Sequence, residues 1–246
     1  VRLVGSEMCI RDRGNGASQF YVHDASGATV MHNLFANSPP GARFGQGAYI
    51  YQVTKRTKTG YHSLYNNLFI SHKTMLDINY PSHRSGPQRL DHNVYDTAPD
   101  GRDFIVNSAS DRPSPWKPDA FFKLVSGEVG SDAPRAISGG AKVALTLEEW
   151  RRFWKKHGME NDAHSVTKKG INVSYRQESL ELKITMSFDP ATVGSTNHRW
   201  LDVDFMGQSV PQDQSAVPGP VQGMKQGVNT FKVWQGLPLL AEGELP

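Results

Sequence analysis

The chain has 246 residues and is mildly basic, with 27 Lys and Arg against 24 Asp and Glu, a net charge of +3, and 37% apolar residues. So small a charge is too mild to imply nucleic-acid binding, and no apolar run reaches the roughly eighteen residues that a membrane span needs. The 23 Gly and 15 Pro point to many turns, in a length that suits one elongated domain or two compact ones.

Residues 1–13, VRLVGSEMCIRDR, resemble the translated sequencing-adapter read-through found at the ends of open reading frames in metagenomic assemblies. On that reading the segment is not native, the natural sequence enters near Gly14, and a preceding part, with any signal peptide, is lost. Without these residues Lys plus Arg falls from 27 to 24 and Asp plus Glu from 24 to 22, a net charge of +2. Cys9, the single cysteine, falls inside the segment, so no disulfide or cysteine-ligated metal is expected.

From Gly14 to about Ser110 a phrase of asparagine, aliphatic and aromatic recurs: Asn33-Leu34-Phe35, Asn67-Leu68-Phe69 and Asn93-Val94-Tyr95. The asparagines lie 34 and 26 residues apart, a self-similarity that signals stacked repeats. Val30, Leu64 and Leu90 form one column three positions before each asparagine, and Leu34, Leu68 and Val94 form another one position after. The aromatics make a third, and the asparagines occupy a turn where stacked amides can satisfy backbone groups. Short alternating segments around Phe20–His23, Tyr49–Gln52, Met75–Ile78 and Phe104–Asn107 read as strands. Long insertions run from Gln52 to His62 and from Pro81 to Arg89.

Past Ser110 the pattern changes. Asp111 to Pro118 reads as a proline-rich excursion without regular structure. Thr146-Leu147-Glu148-Glu149 is a capping box that opens a helix through about His157, with Leu147, Trp150 and Trp154 on one face. Leu180, Leu182, Ile184, Met186 and Phe188 alternate with polar residues as one half-buried strand. The last forty residues read as a closing segment, which covers strand edges that would otherwise stay open.

The stretches GNGASQFYVHDASGATVMHNLFANS (14–38), LYNNLFISHK (64–73), RLDHNVYD (89–96) and LTLEEWRRFWKKHGMENDAHSV (145–166) resemble the pectate-lyase-like superfamily. The resemblance implies an all-β, right-handed parallel β-helix, a solenoid with a short surface helix and a β-rich C-terminal cap. The expected division is 14–110 as coils, 111–170 as loop and surface-helix insertion, and 171–246 as last coil and cap of the same domain.

The resemblance also implies a polysaccharide partner and an exported bacterial protein, extracellular or periplasmic, and a monomer is expected. The reaction would be glycoside hydrolysis or lyase-type elimination, in a groove on the outward face of one parallel sheet; a non-catalytic carbohydrate-binding or adhesion module is the alternative. Tyr21, His23, Tyr49, Tyr51, Asp77 and Asn79 are the outward strand candidates, with Lys55, Arg56, His62, His83 and Arg84 at the rim. Asp77, between Leu76 and Ile78, is the leading catalytic carboxylate, and His23 the second catalytic candidate, although Asp24 beside it should point to the other face. Tyr21, Tyr49, Tyr51 and Asn79 would bind sugar, and Lys55, Arg56, His83 and Arg84 would suit an acidic one. A hydrolase needs a second carboxylate across the bond, whereas a lyase needs a base and a cation such as Ca²⁺ over the uronate. No metal ligand set stands out, since His62, His72 and His83 lack zinc spacing. Gly45-Gln46-Gly47 lacks the third glycine of a dinucleotide site, and Asn172-Val173-Ser174 fits a glycosylation acceptor only as short motifs often do by chance.

Overall fold

Every third strand of the first half returns to the same sheet. The computed structural model describes residues 20–23, 26–36, 49–52, 60–70, 74–82, 86, 88–97, 99–108, 117–196, 201–213 and 215–233. In chain order the strands are β1 (Phe20–His23), β2 (Thr29–Met31), β3 (Leu34–Ala36), β4 (Tyr49–Gln52), β5 (Ser63–Tyr65), β6 (Leu68–Ile70), β7 (Leu76–Asn79), β8 (Arg89–Asp91), β9 (Val94–Asp96) and β10 (Phe104–Asn107). Helix α1 (Pro118–Val129), β11 (Arg135–Ile137), β12 (Lys142–Leu145), helix α2 (Leu147–Lys156), β13 (Val166–Thr167), β14 (Asn172–Arg176), β15 (Glu181–Met186) and β16 (Gly227–Lys232) follow.

Parallel pairing builds three stacks: β1-β4-β7-β10, β2-β5-β8 and β3-β6-β9-β13. Val30, Leu64 and Leu90 pair in one register line, Leu34, Leu68 and Val94 in another, and Phe35, Phe69 and Tyr95 in a third. The expected all-β, right-handed parallel β-helix is nevertheless corrected, because the chain is mixed α/β and a large part of it is not parallel. On the first sheet β12 pairs antiparallel with β10, and β11 antiparallel with β12. Strands β14, β15 and β16 form a separate antiparallel sheet, and two helices lie between.

The local sequence accounts for the departures. Past Ser110 the asparagine phrase no longer recurs, and only Ser165 and β13 continue the stacked register among the described residues. Pro118 sits in the first turn of α1, where its missing N–H costs nothing, and Gly130 closes the helix at φ 60°. Phe121, Val125 and Val129, one face at four-residue spacing, are buried. This helix is absent from the sequence reading, which ends the segment as a proline-rich excursion. For α2 the expected capping box forms: Thr146 Oγ1 accepts from the Glu149 N–H at 3.3 Å, and Glu149 Oε2 accepts from the Thr146 N–H at 2.9 Å. Burial opposes the charge of Glu149, yet the Thr146 amide, Arg102 and Ser131 hold its pKa below the usual carboxylate value.

Two cores result. Val30, Leu64, Leu90 and the aromatic column face Leu76, Ile78, Phe104 and Val106, and α1 and α2 close that core with Phe121, Trp150, Phe153 and Trp154. Phe35 stacks on Phe69 at 4.7 Å and Phe69 on Tyr95 at 5.1 Å. Leu34, Leu68 and Val94 belong instead to a second core against Leu182, Ile184 and Met186 of the antiparallel sheet. Both faces of β3 and β6 are therefore covered, which is why these strands read as continuous apolar runs, and β9 follows them through Val94 and Tyr95.

Between β2 and β3, and at the equivalent turns, the asparagines form a ladder. The side-chain oxygen of Asn67 accepts from Asn33 N at 3.0 Å, that of Asn93 accepts from Asn67 N at 3.0 Å, and Ser165 Oγ accepts from Asn93 N at 2.9 Å. Asn67 also donates to the Val30 carbonyl at 3.1 Å and is fully buried. Asn67→Ala should cost about 1–3 kcal/mol, because it strands the Asn33 N–H away from water and takes one donor from the Val30 carbonyl. Urea denaturation reads this directly, and a loss under about 0.5 kcal/mol would show that the ladder does not hold the turns.

Candidate functional site

On the first sheet, Tyr21, Ile50, Asp77 and Ile105 share one register row. Tyr49 pairs with Leu76 and Tyr51 with Ile78, so both tyrosines occupy rows that buried core residues hold, and not the row of Asp77. His23 pairs with Gln52. The side chains of Tyr21, His23, Tyr49 and Tyr51 lie outside the described residues, as do Lys55, Arg56, His83 and Arg84. His62, expected at the rim, is fully buried, and its Nδ1 accepts from the Ala28 N–H at 3.1 Å.

Asp77 and Asn79 are buried. Asp77 Oδ2 meets Lys142 Nζ of β12 at 2.5 Å, and its Oδ1 accepts from Asn107 Nδ2 at 2.5 Å. The side chain is 4% exposed under a lysine that is 32% exposed. Both oxygens are thus occupied by a cation and an amide.

A different group of side chains converges at the turns. The residue before each ladder asparagine sits in the left-handed region: His32 at φ 52°, Asn66 at φ 55° and His92 at φ 53°. In the fourth turn Ser165 takes the ladder position, so His164 stands where His32, Asn66 and His92 stand before it. The column joins in two halves: Asn66 Nδ2 lies 2.9 Å from His32 Nε2, and the His92 and His164 rings stack at 4.8 Å.

The C-terminal part closes over the first half of this column. Gly219 donates to the Asn66 carbonyl at 2.7 Å, and its own carbonyl lies 3.3 Å from His32 Nδ1. Its φ is 102°, and a Cβ there would come within 2.7 Å of Leu68 Cδ1, so the approach requires glycine. Thr196 exchanges hydrogen bonds with the Asn66 side chain at 2.9 Å in both directions. His32 and Asn66 are buried in consequence, whereas His92 remains 15% and His164 66% exposed.

Asp91, the last residue of β8, binds this open end together. Its Oδ1 accepts from the backbone N–H groups of His92 at 3.0 Å and His164 at 2.7 Å. Its Oδ2 lies 2.8 Å from His164 Nδ1 and 3.4 Å from His92 Nδ1. Burial works against its charge, but the two rings and the two amides outweigh it and hold the carboxyl far below the usual carboxylate range. A carboxylate only accepts, so His164 Nδ1 carries the hydrogen, and in the neutral ring Nε2 keeps its lone pair.

The loop that carries His164 is itself fixed. Asp162, fully buried, accepts from Ser165 Oγ at 2.6 Å, from Tyr95 OH at 2.9 Å and from Trp150 Nε1 at 2.9 Å. Arg151 of α2 donates to the Asp162 carbonyl at 2.7 Å and also to the Ser165 carbonyl.

Thr196 Oγ1 lies 2.8 Å from His92 Nδ1, which brings a hydroxyl, an imidazole and a carboxylate together. Thr196 and Asp91 both address the same ring nitrogen, however, whereas a nucleophile relay needs them on opposite nitrogens. The arrangement suits proton transfer at His164 and not hydroxyl activation. As a donor set, two imidazoles and one carboxylate suit a transition-metal ion. Calcium takes six to eight oxygens, and these three side chains do not fit it. Sequence reading alone passes over Asp91, His92 and His164. The signal is that Asp-His stands at the third occurrence of the phrase, where Met31-His32 and Tyr65-Asn66 stand in the first two.

No protein-family model, curated protein or solved structure gives a significant match to this chain, so the reading of the site stands on its geometry and on the sequence.

Proposed function

We propose that the chain is a carbohydrate-active enzyme that cleaves a uronate-containing polysaccharide by β-elimination, with His164 as the base. The observation that carries this reading is the 2.8 Å contact between Asp91 Oδ2 and the Nδ1 of a ring that is 66% exposed. A half-buried carboxylate fixes the tautomer, and the other nitrogen is left for a ligand. The substrate class rests on the likeness of residues 14–38, 64–73, 89–96 and 145–166 to polysaccharide-acting proteins. Elimination is favoured over hydrolysis because the site offers one base and no carboxylate pair.

In the step, Nε2 takes the C5 proton of the uronate, and the C–H electron pair becomes the C4–C5 double bond. The C4–O bond breaks, and its oxygen leaves with a proton from solvent. A basic side chain over the uronate carboxylate would ease removal of that proton. Such a substrate lies outside the cytoplasm, where an exported monomer would meet it. Among the described residues no helix is long and apolar enough to cross a membrane.

The test is a product screen on neutral and uronate polysaccharides. Elimination yields ultraviolet-absorbing unsaturated ends from uronate chains only. Reducing ends without that absorbance would replace the lyase by a hydrolase, and binding without product would replace it by a carbohydrate-binding module.

A further inference from the structure

We propose that Asp91, His92 and His164 also form a binding site for one divalent transition-metal ion of the zinc type, which withdraws His164 from proton transfer when it binds. One ligand atom from each of the three lies within 4.8 Å of the others. Asp91 Oδ2 stands 2.8 Å from one imidazole Nδ1 and 3.4 Å from the other. Two ligands bound at about 2.0–2.2 Å around a tetrahedral ion are separated by roughly 3.3–3.5 Å. The 3.4 Å separation already matches that value, and the 2.8 Å one must widen by about half an ångström.

The ligands come from two segments that the fold fixes separately. Asp91 and His92 belong to the third turn, and His164 to the loop that Asp162 and Arg151 hold. The backbone N–H groups of His92 and His164 already grip Asp91 Oδ1, which leaves Oδ2 as the oxygen that faces both rings. The rings now lie stacked with 22° between their planes, so their lone pairs run side by side. Convergence requires His164 to turn about its Cβ–Cγ bond, and at 66% exposure it has the room. Thr196 Oγ1, 2.8 Å from His92 Nδ1, gives up that contact and remains near the ion as a neutral oxygen. Solvent completes the coordination, as in zinc sites with three protein ligands.

Binding and its consequence are separable. His164 Nδ1 cannot both donate to Asp91 and ligate an ion, so occupancy takes away the tautomer that presents Nε2. That consequence rests on the proton-transfer reading; the binding itself does not. The experiment uses the full chain with Co²⁺ as a spectroscopic probe and Zn²⁺ in calorimetry, alongside the uronate product assay. One equivalent of ion is expected, with Co²⁺ ligand-field bands and a raised Tm. His164→Ala, at an exposed position, and His92→Gln should each weaken binding at least about ten-fold. Uptake by the parent that His164→Ala lacks supports the site whether or not any product forms. A parent that forms product yet takes up no ion overturns the site and leaves the base assignment intact. Equal uptake by parent and His164→Ala overturns it as well, and uptake that leaves the rate of product formation unchanged overturns the proposed withdrawal.

Discussion

Replacing Asp162 by alanine should destabilise the chain by about 3 kcal/mol, a fall in Tm of roughly 6–12 °C for a chain of this size. Its carboxylate is the meeting point of the third turn, α2 and the loop of His164. Tyr95 OH and Trp150 Nε1, both on fully buried side chains, each point at one of its oxygens at 2.9 Å. Truncation leaves both donors without a partner, at about 1–3 kcal/mol each, and takes from Ser165 Oγ the acceptor that holds it in the ladder. Asn93 loses less, because its amide also donates to the Leu64 carbonyl at 2.9 Å. Relief of a buried charge offsets part of the loss. Asp162→Asn should fall between parent and alanine, since it keeps one carbonyl oxygen but sets an amide against a donor. Trp fluorescence during urea denaturation measures both variants, and an alanine variant within about 0.5 kcal/mol of the parent would show that this carboxylate does not organise the loop.

The same residue has an unusual sign in acid. Burial raises the pKa of Asp162 above the ordinary carboxylate value despite the donors from Ser165, Trp150, Tyr95 and Asn93. As pH falls through that raised value, the native state takes up the proton before the unfolded one, so Asp162 adds stability there and does not drive acid unfolding. Glu149, whose folded pKa is lowered, acts in the opposite direction. Its contribution is present above the unfolded pKa and is lost as pH falls through the folded value.

What could be read from the sequence was the part where identical side chains must stack. Asn33, Asn67 and Asn93 mark one level of successive turns, and the columns on either side follow from them. Tyr49-Ile50-Tyr51 shows where that logic ends. All three positions are apolar or aromatic, so alternation supplies no phase, and only the pairing with Leu76, Asp77 and Ile78 sets one. Helix α1 was hidden because Pro118 looks like the end of a proline-rich loop when it is the first turn of a helix. The mixed architecture follows from segments after Ser110 that carry their own capping and alternation signals and no longer repeat. The site was hidden for a different reason. Asp91 and His164 are 73 positions apart, and they meet at turn residues, whereas a search for outward strand positions leads to Asp77.

His164→Ala should lower product formation by about 10²–10⁴-fold, the range for loss of a positioned proton-transfer group. The side chain is 66% exposed, and its loop is held by Asp162 and Arg151, so the fold should survive unchanged. Asp91→Asn should cost on the order of 10²-fold or more for a distinct reason. Its remaining carbonyl can still accept from the His92 and His164 amides, but an amide now faces His164 Nδ1 and favours the wrong tautomer. Both losses belong in kcat and not in KM, because the ring acts on a proton and contributes little to holding the chain of sugars.

The decisive measurement is therefore the rate of unsaturated product release from a uronate polysaccharide by parent and His164→Ala chains of matched thermal stability. Proton abstraction by His164 predicts a drop of at least about 10²-fold in kcat at unchanged KM. Equal kcat values in the two chains would contradict it.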